Sequence, residues 1–155
     1  MKHLTQFSLF LSLLFLLYGV QGLSQNSYTA PLSGEQEVHD VTSPATGSVS
    51  LELIAGDSLV VQGSFENLMS AVDTSIVGGA HIHAAPAGRN GPVIFPLNIK
   101  LSADGRSGEF RAEDNRFALD PATFERLQLR QLYVNIHSLT EAAGELRGQI
   151  VPAGP

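Results

Sequence analysis

Apolar and polar residues alternate along two neighbouring segments of the chain. In the first segment, Val49, Leu51 and Leu53 alternate with serine and glutamate residues. A second alternation extends from Leu59 to Phe65, and a Gly-Asp turn separates the two runs. Because successive side chains of a strand point to opposite faces, the two segments predict a β-hairpin with one buried face and one face in water.

Further strands are predicted where short apolar runs lie between Gly, Pro, Asn and Asp residues. These runs cover residues 27–38, 79–85, 92–101, 107–113, 131–138 and 145–152. In the third run, every second position from Val93 to Leu101 is apolar, which predicts one strand with a shared apolar face. Pro92 suits the start of that strand, and Pro96 suits an edge or bulge position, because proline has no N–H to donate.

Residues 119–130 predict a short helix. Asp120 is suited to the N-cap and Pro121 to the first helical position. Leu119 and Phe124 have the spacing of a hydrophobic staple. Many short strands together with one helix near residues 120–130 predict an all-β fold, a Greek-key-like antiparallel β-sandwich or barrel of about eight strands.

Two histidines, His81 and His83, flank Ile82 in the predicted strand at residues 79–85. Their side chains share one face, because residues two apart in a strand point the same way. By the same alternation, His137 lies with Asn135 on the polar face of its own strand. If the two strands are neighbours, three imidazoles can surround one metal ion, for which copper is the first candidate and zinc the second.

The same residues allow a second interpretation, in which hydrogen bonds within a polar layer satisfy the histidines and no metal is bound. His39 is a further candidate ligand, but the strand pattern does not fix its position. Glu145 and Arg147 lie two residues apart on one face of a predicted strand and can pair with each other or with a neighbour, and ion pairing on the sheet is favoured over a substrate site. The chain lacks a nucleophile elbow, a phosphate loop and a dinucleotide motif, so no catalytic residue is assigned and an enzyme is the less favoured class.

Residues 1–22 predict a cleaved secretory signal peptide, because Lys2 and His3 precede an apolar stretch from Phe7 to Tyr18. Residues 23–155 then form one domain. The chain has a formal net charge of −6 and no cysteine. Its acidic character argues against nucleic acid and membrane surfaces as partners. The predicted signal peptide leads us to expect a secreted protein, extracellular or periplasmic, and the absence of cysteine means that it has no disulfides.

Two segments of the chain resemble the CHRD domain, a module first described as a repeat in chordin. They read AHIHAAPAGRNGPVIFPL at residues 80–97 and LYVNIHSLTEAAGELRGQI at residues 132–150, and residues 28–38 are similar to the family's first strand. The residues that match the family pattern are Ala80, His81, Ile82, His83, Gly88, Gly91, Pro92, Val93, Tyr133, Asn135, His137, Gly144, Glu145, Arg147, Gly148 and Gln149. The resemblance implies an extracellular binding module with a protein or matrix ligand, and it assigns no activity by itself.

The order of a His-x-His strand, a Gly-rich loop and a later histidine is also similar to copper–zinc superoxide dismutase. That resemblance implies copper on His81, His83 and His137, with redox chemistry. The chain lacks that family's histidine-rich zinc loop and its disulfide, and the substrate-guiding arginine has no assigned counterpart, although Arg147 is near in sequence. Three functions therefore stay open: an extracellular binding module, a copper-binding redox protein, and a structural component of a cell surface or matrix.

Overall fold

The structure is a computed structural model that describes residues 26–154. The predicted signal peptide, residues 1–22, lies outside the described residues. The strands, in chain order, are β1 (Ser27–Ser33), β2 (Thr46–Ile54), β3 (Ser58–Glu66), β4 (Ala80–Ala84), β5 (Val93–Pro96), β6 (Ile99–Leu101), β7 (Gly108–Phe110), β8 (Arg116–Ala118), β9 (Leu132–Ile136), β10 (Leu146–Gln149) and β11 (Val151–Pro152). A 3₁₀ turn at Gly34–Gln36 and the helix α1 (Pro121–Gln128) complete the described part of the chain.

All strand pairs are antiparallel, which confirms the predicted fold class. The main sheet has the order β5-β4-β9-β10-β1-β2-β3-β7-β6, with β11 paired to β1 and β8 paired to β3. The strands β5 and β6 occupy opposite edges of this order, yet residues 97 and 98 alone separate them in the chain. Two residues span only a few ångströms, so the edges lie close together and the sheet curls into a half-barrel.

The predicted hairpin is confirmed as β2 and β3. Its strands pair without interruption from Thr46↔Glu66 to Ile54↔Ser58. Ala55 and Gly56, with φ of 55° and 86°, make the turn in the left-handed region that hairpin turns favour. Val49, Leu51 and Leu53 are buried in the core, and the polar residues between them are not.

The prediction of one continuous strand over residues 92–101 is wrong. The chain leaves β5 after Pro96 and enters β6 at Ile99, so Val93 and Leu101 are exposed while Leu97 is buried. Pro96 cannot donate to a ladder. The backbone N–H of Asn98 instead donates to the Oδ1 atom of the buried Asn115, at 2.8 Å. This break, together with the short strands β8 and β11, raises the number of strands above the predicted eight.

The helix begins as predicted. The N–H of Thr123 donates to Asp120 Oδ1 at 2.6 Å, and this hydrogen bond lowers the pKa of the Asp120 carboxyl. Pro121 opens the helix, and Leu127 is fully buried against the core. Within residues 26–154 no helix has the length and apolar character needed to cross a membrane.

Candidate metal centre

The two histidine strands are neighbours, which is the condition that a shared site requires, because β4 pairs with β9 along its whole length. His81 lies opposite Asn135 and His83 opposite Tyr133. His137 follows the last residue of β9, and its N–H donates to the carbonyl oxygen of Gly79 at 2.9 Å. The alternating residues of both strands, Ile82 among them, are buried in the apolar core. Strand pairing therefore places the polar side chains of β4 and β9 on one common face.

On that face the three imidazoles form a compact cluster. One ring nitrogen from each of His81, His83 and His137 lies within 4.8 Å of the others. The ring centroid of His81 lies 5.4 Å from the ring centroid of His83 and 5.0 Å from that of His137. His81 is fully buried, while His83 and His137 keep 9 % and 6 % of their surface exposed. Solvent therefore reaches the cluster only at its rim.

His39, the further ligand candidate, does not belong to this cluster of the described residues. Its Nε2 atom lies 3.7 Å from a carboxylate oxygen of Glu141, and the two side chains are partly exposed. The Nε2 atom of His39 is itself buried and has no hydrogen-bond partner among the described residues, but His39 belongs to no group of three described residues that could share a metal ion. His39 thus serves as an internal comparison for the three clustered histidines.

Each clustered histidine has one ring nitrogen against a backbone carbonyl. His81 Nε2 lies 2.7 Å from the oxygen of Ile76 and 3.0 Å from that of Val77. His83 Nδ1 lies 2.9 Å from the oxygen of Gly91, and His137 Nδ1 lies 2.9 Å from that of Ala142. A carbonyl oxygen only accepts, so these ring nitrogens carry the proton and donate it.

The carbonyl contacts leave one lone-pair nitrogen on each ring: Nδ1 of His81, and Nε2 of His83 and His137. All three atoms are buried, and none has a hydrogen-bond partner among the described residues. Buried polar atoms without partners are rare in folded proteins and call for an explanation. A histidine that ligates a metal through one ring nitrogen usually donates the proton of its other ring nitrogen to a carbonyl, carboxylate or water oxygen.

The turn before β4 aims two of these carbonyls. Val77, Gly78 and Gly79 have φ of 44°, 83° and 90°, so three consecutive residues are left-handed. The conformation is uncommon for a β-branched residue such as Val77 and stores strain. At Gly79 a Cβ atom would come within 2.2 Å of Val72 Cγ1. The turn thus holds a strained backbone next to His81.

Burial favours the neutral form of the His83 and His137 imidazoles. Desolvation is the largest cause that lowers the pKa of both His83 and His137, and neighbouring histidines lower it further. The carbonyl contacts of Gly91 and Ala142 oppose this effect by raising each pKa. The neutral form is the one that binds a metal, so the folded protein presents ligands that need not lose a proton at neutral pH.

The family model described as CHRD domain matches residues 28–150, nearly all of the described chain. The chain belongs to the CHRD family. No curated protein matches it. The clustered histidines all lie within the matched residues.

Beside the histidines, the CHRD domain carries a stack of flat groups. The ring of Tyr133 is parallel to that of His83, with 9° between the planes and 4.8 Å between the centroids. The Cζ atom of Arg147 lies 3.5 Å from the centroid of the Tyr133 ring. Tyr133 and Arg147 both match the family pattern in the sequence, but no feature of the sequence predicts that they stack beside a histidine.

The prediction that Glu145 and Arg147 form ion pairs, with each other or with a neighbour, is wrong for the described residues, because neither side chain lies at ion-pair distance from an opposite charge. Arg147 donates to the oxygens of Arg89, Pro86 and Asn90, while Glu145 Oε1 accepts from Ser43 and Met69. The two side chains therefore contact different loops of the CHRD domain. Both are almost fully buried, so each fixes loops rather than a surface ion pair.

Asn135 fastens the same polar layer to the segment after β1. Its Nδ2 atom donates to a carboxylate oxygen of Glu37 and to the carbonyl oxygen of Leu146, the latter at 2.9 Å. Burial raises the pKa of Glu37, and the contact with Asn135 partly offsets that effect. Gly144 makes room for this contact, since a Cβ there would lie 2.4 Å from the same carboxylate. Asn135 therefore has a supporting role next to the CHRD histidines.

Proposed function

We propose that this CHRD protein binds one copper ion through His81, His83 and His137. The observation that carries the proposal is the buried, unpartnered nitrogen on each of three clustered imidazoles. Metal–nitrogen bonds of about 2.0 Å place ligand nitrogens about 3.3–3.5 Å apart. A closure of about 1.5 Å at most brings ring nitrogens that lie within 4.8 Å to that spacing.

The chemistry of the ligand set favours copper, with zinc as the second candidate. The cluster consists of three neutral imidazoles and contains no carboxylate of the described residues. Magnesium and calcium prefer oxygen ligands, whereas imidazole suits copper and zinc, and copper binds more tightly than zinc to a given nitrogen site. A copper ion held there would supply one-electron redox chemistry and a coordination position left open by the three ligands.

Within this proposal, metal binding in an extracellular module is favoured over superoxide dismutation. Arg147, which lies near the sequence position of the superoxide dismutase family's substrate-guiding arginine, is 1 % exposed, and its guanidinium donates to oxygens of residues 86–90. An arginine occupied in this way does not present its charge to solvent. The secreted location rests on the family resemblance and on the predicted signal peptide.

The test is metal binding by the purified protein, measured with Cu⁺, Cu²⁺ and Zn²⁺ separately against competing chelators of known affinity. We expect one copper ion per chain and weaker binding of zinc. His83→Ala and His137→Ala should each lower copper affinity by at least tenfold, because each removes one of three ligands. His39→Ala is the matched control and should leave the affinity unchanged.

Absence of stoichiometric copper binding by the folded protein contradicts the proposal, and so does unchanged affinity in His83→Ala and His137→Ala. A superoxide turnover assay on the copper-loaded protein addresses the redox alternative. Turnover that disappears in His83→Ala would replace metal binding alone with a redox enzyme as the function of the site.

A further inference from the structure

We propose that Arg147 and Tyr133 are positioning residues that hold His83 in its ligand orientation and favour monovalent over divalent copper at the site. The inference rests on the copper site proposed above. It adds to that site two residues that touch no metal, and it names the oxidation state that the protein prefers.

Tyr133 lies between His83 and Arg147. The imidazole is parallel to the phenol ring at a centroid distance of 4.8 Å, and the guanidinium carbon lies 3.5 Å from the same centroid. The imidazole and the guanidinium would overlap if both lay on the same face of the Tyr133 ring at these distances. The three side chains therefore form one stack, in which a cation lies on the tyrosine face opposite the proposed ligand.

Arg147 also fixes the loop that orients His83. Its guanidinium donates to the carbonyl oxygens of Arg89 at 2.9 Å and Pro86 at 3.3 Å, and to Asn90 Oδ1 at 3.2 Å. The next residue, Gly91, accepts the Nδ1 proton of His83, and its N–H donates to the Tyr133 hydroxyl at 3.3 Å. Arg147 thus fixes the loop that carries Gly91, and Tyr133 contacts both Gly91 and the ring of His83. Together they maintain the hydrogen bond from His83 Nδ1 to Gly91 that leaves Nε2 free.

The buried charge of Arg147 gives the site its preference for one oxidation state. The guanidinium is 1 % exposed, and within residues 26–154 no carboxylate lies at ion-pair distance from it. The three ligands are neutral, so they do not offset the repulsion between this cation and a metal ion. At a separation of about 10 Å and an effective dielectric constant of about 20, one additional unit of metal charge changes affinity on the order of tenfold.

Glu37 allows a second test of how the charges near the site affect its preference for monovalent copper. Its carboxylate interacts with Arg147 through space, and one of its oxygens accepts from Asn135. Glu37→Gln keeps an oxygen for that hydrogen bond and removes the negative charge. Removing the anion should move the preference further toward monovalent copper, in the direction opposite to removal of the Arg147 charge.

The experiment measures Cu⁺ and Cu²⁺ affinities and the reduction potential of the copper-loaded protein at pH 8. Arg147→Met should lower the ratio of Cu⁺ to Cu²⁺ affinity on the order of tenfold, which corresponds to a potential about 59 mV lower. Arg147→Lys keeps the charge and should retain most of the ratio, although it loses the fork of contacts with residues 86–90. Glu37→Gln should raise the ratio.

Positioning through Tyr133 has its own readout. Tyr133→Phe keeps the stack but loses the hydroxyl that accepts from Gly91, and Tyr133→Leu loses both. We expect copper affinity to fall in the order wild type, Tyr133→Phe, Tyr133→Leu, with a change in the Cu²⁺ electron paramagnetic resonance spectrum as His83 is released. Arg116→Met on the exposed strand β8 is the control and should change neither quantity.

The two proposals fail separately. If the wild-type protein binds no copper, the copper site itself is wrong. If it binds copper, an unchanged ratio in both Arg147→Met and Glu37→Gln overturns the charge preference, and unchanged affinity and spectrum in Tyr133→Leu overturn the positioning role. Glu37→Gln keeps the charge test independent of any folding defect in Arg147→Met.

Discussion

The carbonyl oxygen of Gly91 lies 2.9 Å from Nδ1 of His83, and this contact decides which nitrogen of His83 is left free. The two residues are eight positions apart, and the intervening chain is held by Arg147. Ile76 and Ala142 supply equivalent contacts to the other two histidines. Three separate loops thus prepare three imidazoles in the same way, which is the arrangement expected of metal ligands and their supporting contacts.

A methyl group at Gly91 should disturb this arrangement. A Cβ there would lie 2.0 Å from the carbonyl oxygen of Ala84, so Gly91→Ala must shift the loop away from His83. Loss of a supporting contact to a metal ligand lowers affinity by about 10- to 100-fold. Copper titration of Gly91→Ala measures the effect. Gly88→Asn in the same loop is the control, because its Cβ would meet open space and asparagine tolerates a φ of 72°; equal losses in both variants would contradict the role of Gly91.

The metal-free protein should lose stability as the pH falls below about 6.5, the usual pKa of histidine in an unfolded chain. Burial lowers the pKa of His83 and His137 in the folded state. In this window the unfolded chain binds protons that the folded chain does not, so the free energy of unfolding decreases, by at most about 1.4 kcal/mol per pH unit for each group. Above the pKa of histidine in the unfolded chain, both states hold these histidines neutral, and the free energy of unfolding no longer changes with pH through them.

Urea unfolding of the metal-free protein between pH 5.5 and 8 measures this dependence. His137→Gln removes one group whose pKa is lowered in the folded state and should flatten the curve. An equally steep curve in His83→Gln and His137→Gln would show that other groups cause the loss.

Replacement of Val77 should stabilise the fold. The residue has a φ of 44° and is 56 % exposed, so it combines a strained backbone with an exposed apolar side chain. Val77→Asn should raise the free energy of unfolding by about 1 kcal/mol, because asparagine adopts this conformation at lower cost. Val38→Asn is the control, since Val38 is 47 % exposed and lies outside the left-handed region. An equal gain from Val38→Asn would point to surface polarity instead of backbone strain.

Two leucines at the end of α1 offer a matched test of the core. Leu127 is fully buried, and Leu129 is 57 % exposed. Leu127→Ala should cost about 2–5 kcal/mol, because it removes buried apolar surface and leaves a cavity. Leu129→Ala should change the stability by no more than about 0.5 kcal/mol. Similar losses in thermal or urea unfolding would show that the helix end is not packed as described.

The alternation of residues predicted the local elements and the facing of side chains. Val49, Leu51 and Leu53 lie in the core as their spacing requires. The same two-residue period placed His81 and His83 on one face and His137 on the matching face of its own strand. These features are local consequences of strand geometry, so they can be read without knowledge of the fold.

The sequence by itself determined the antiparallel β class, the hairpin, the helix start and the three candidate ligands. The tertiary structure alone decided that β4 and β9 are neighbours, that Glu145 and Arg147 point into different loops, and that the chain breaks after Pro96. It also decided which nitrogen of each histidine is free. The physical reason is that the two-residue alternation of a strand and the capping of a helix depend on residues close together in the chain. The carbonyl oxygens that contact the imidazoles come from separate loops, and they reach the histidines only once the sheet has formed and buried these side chains.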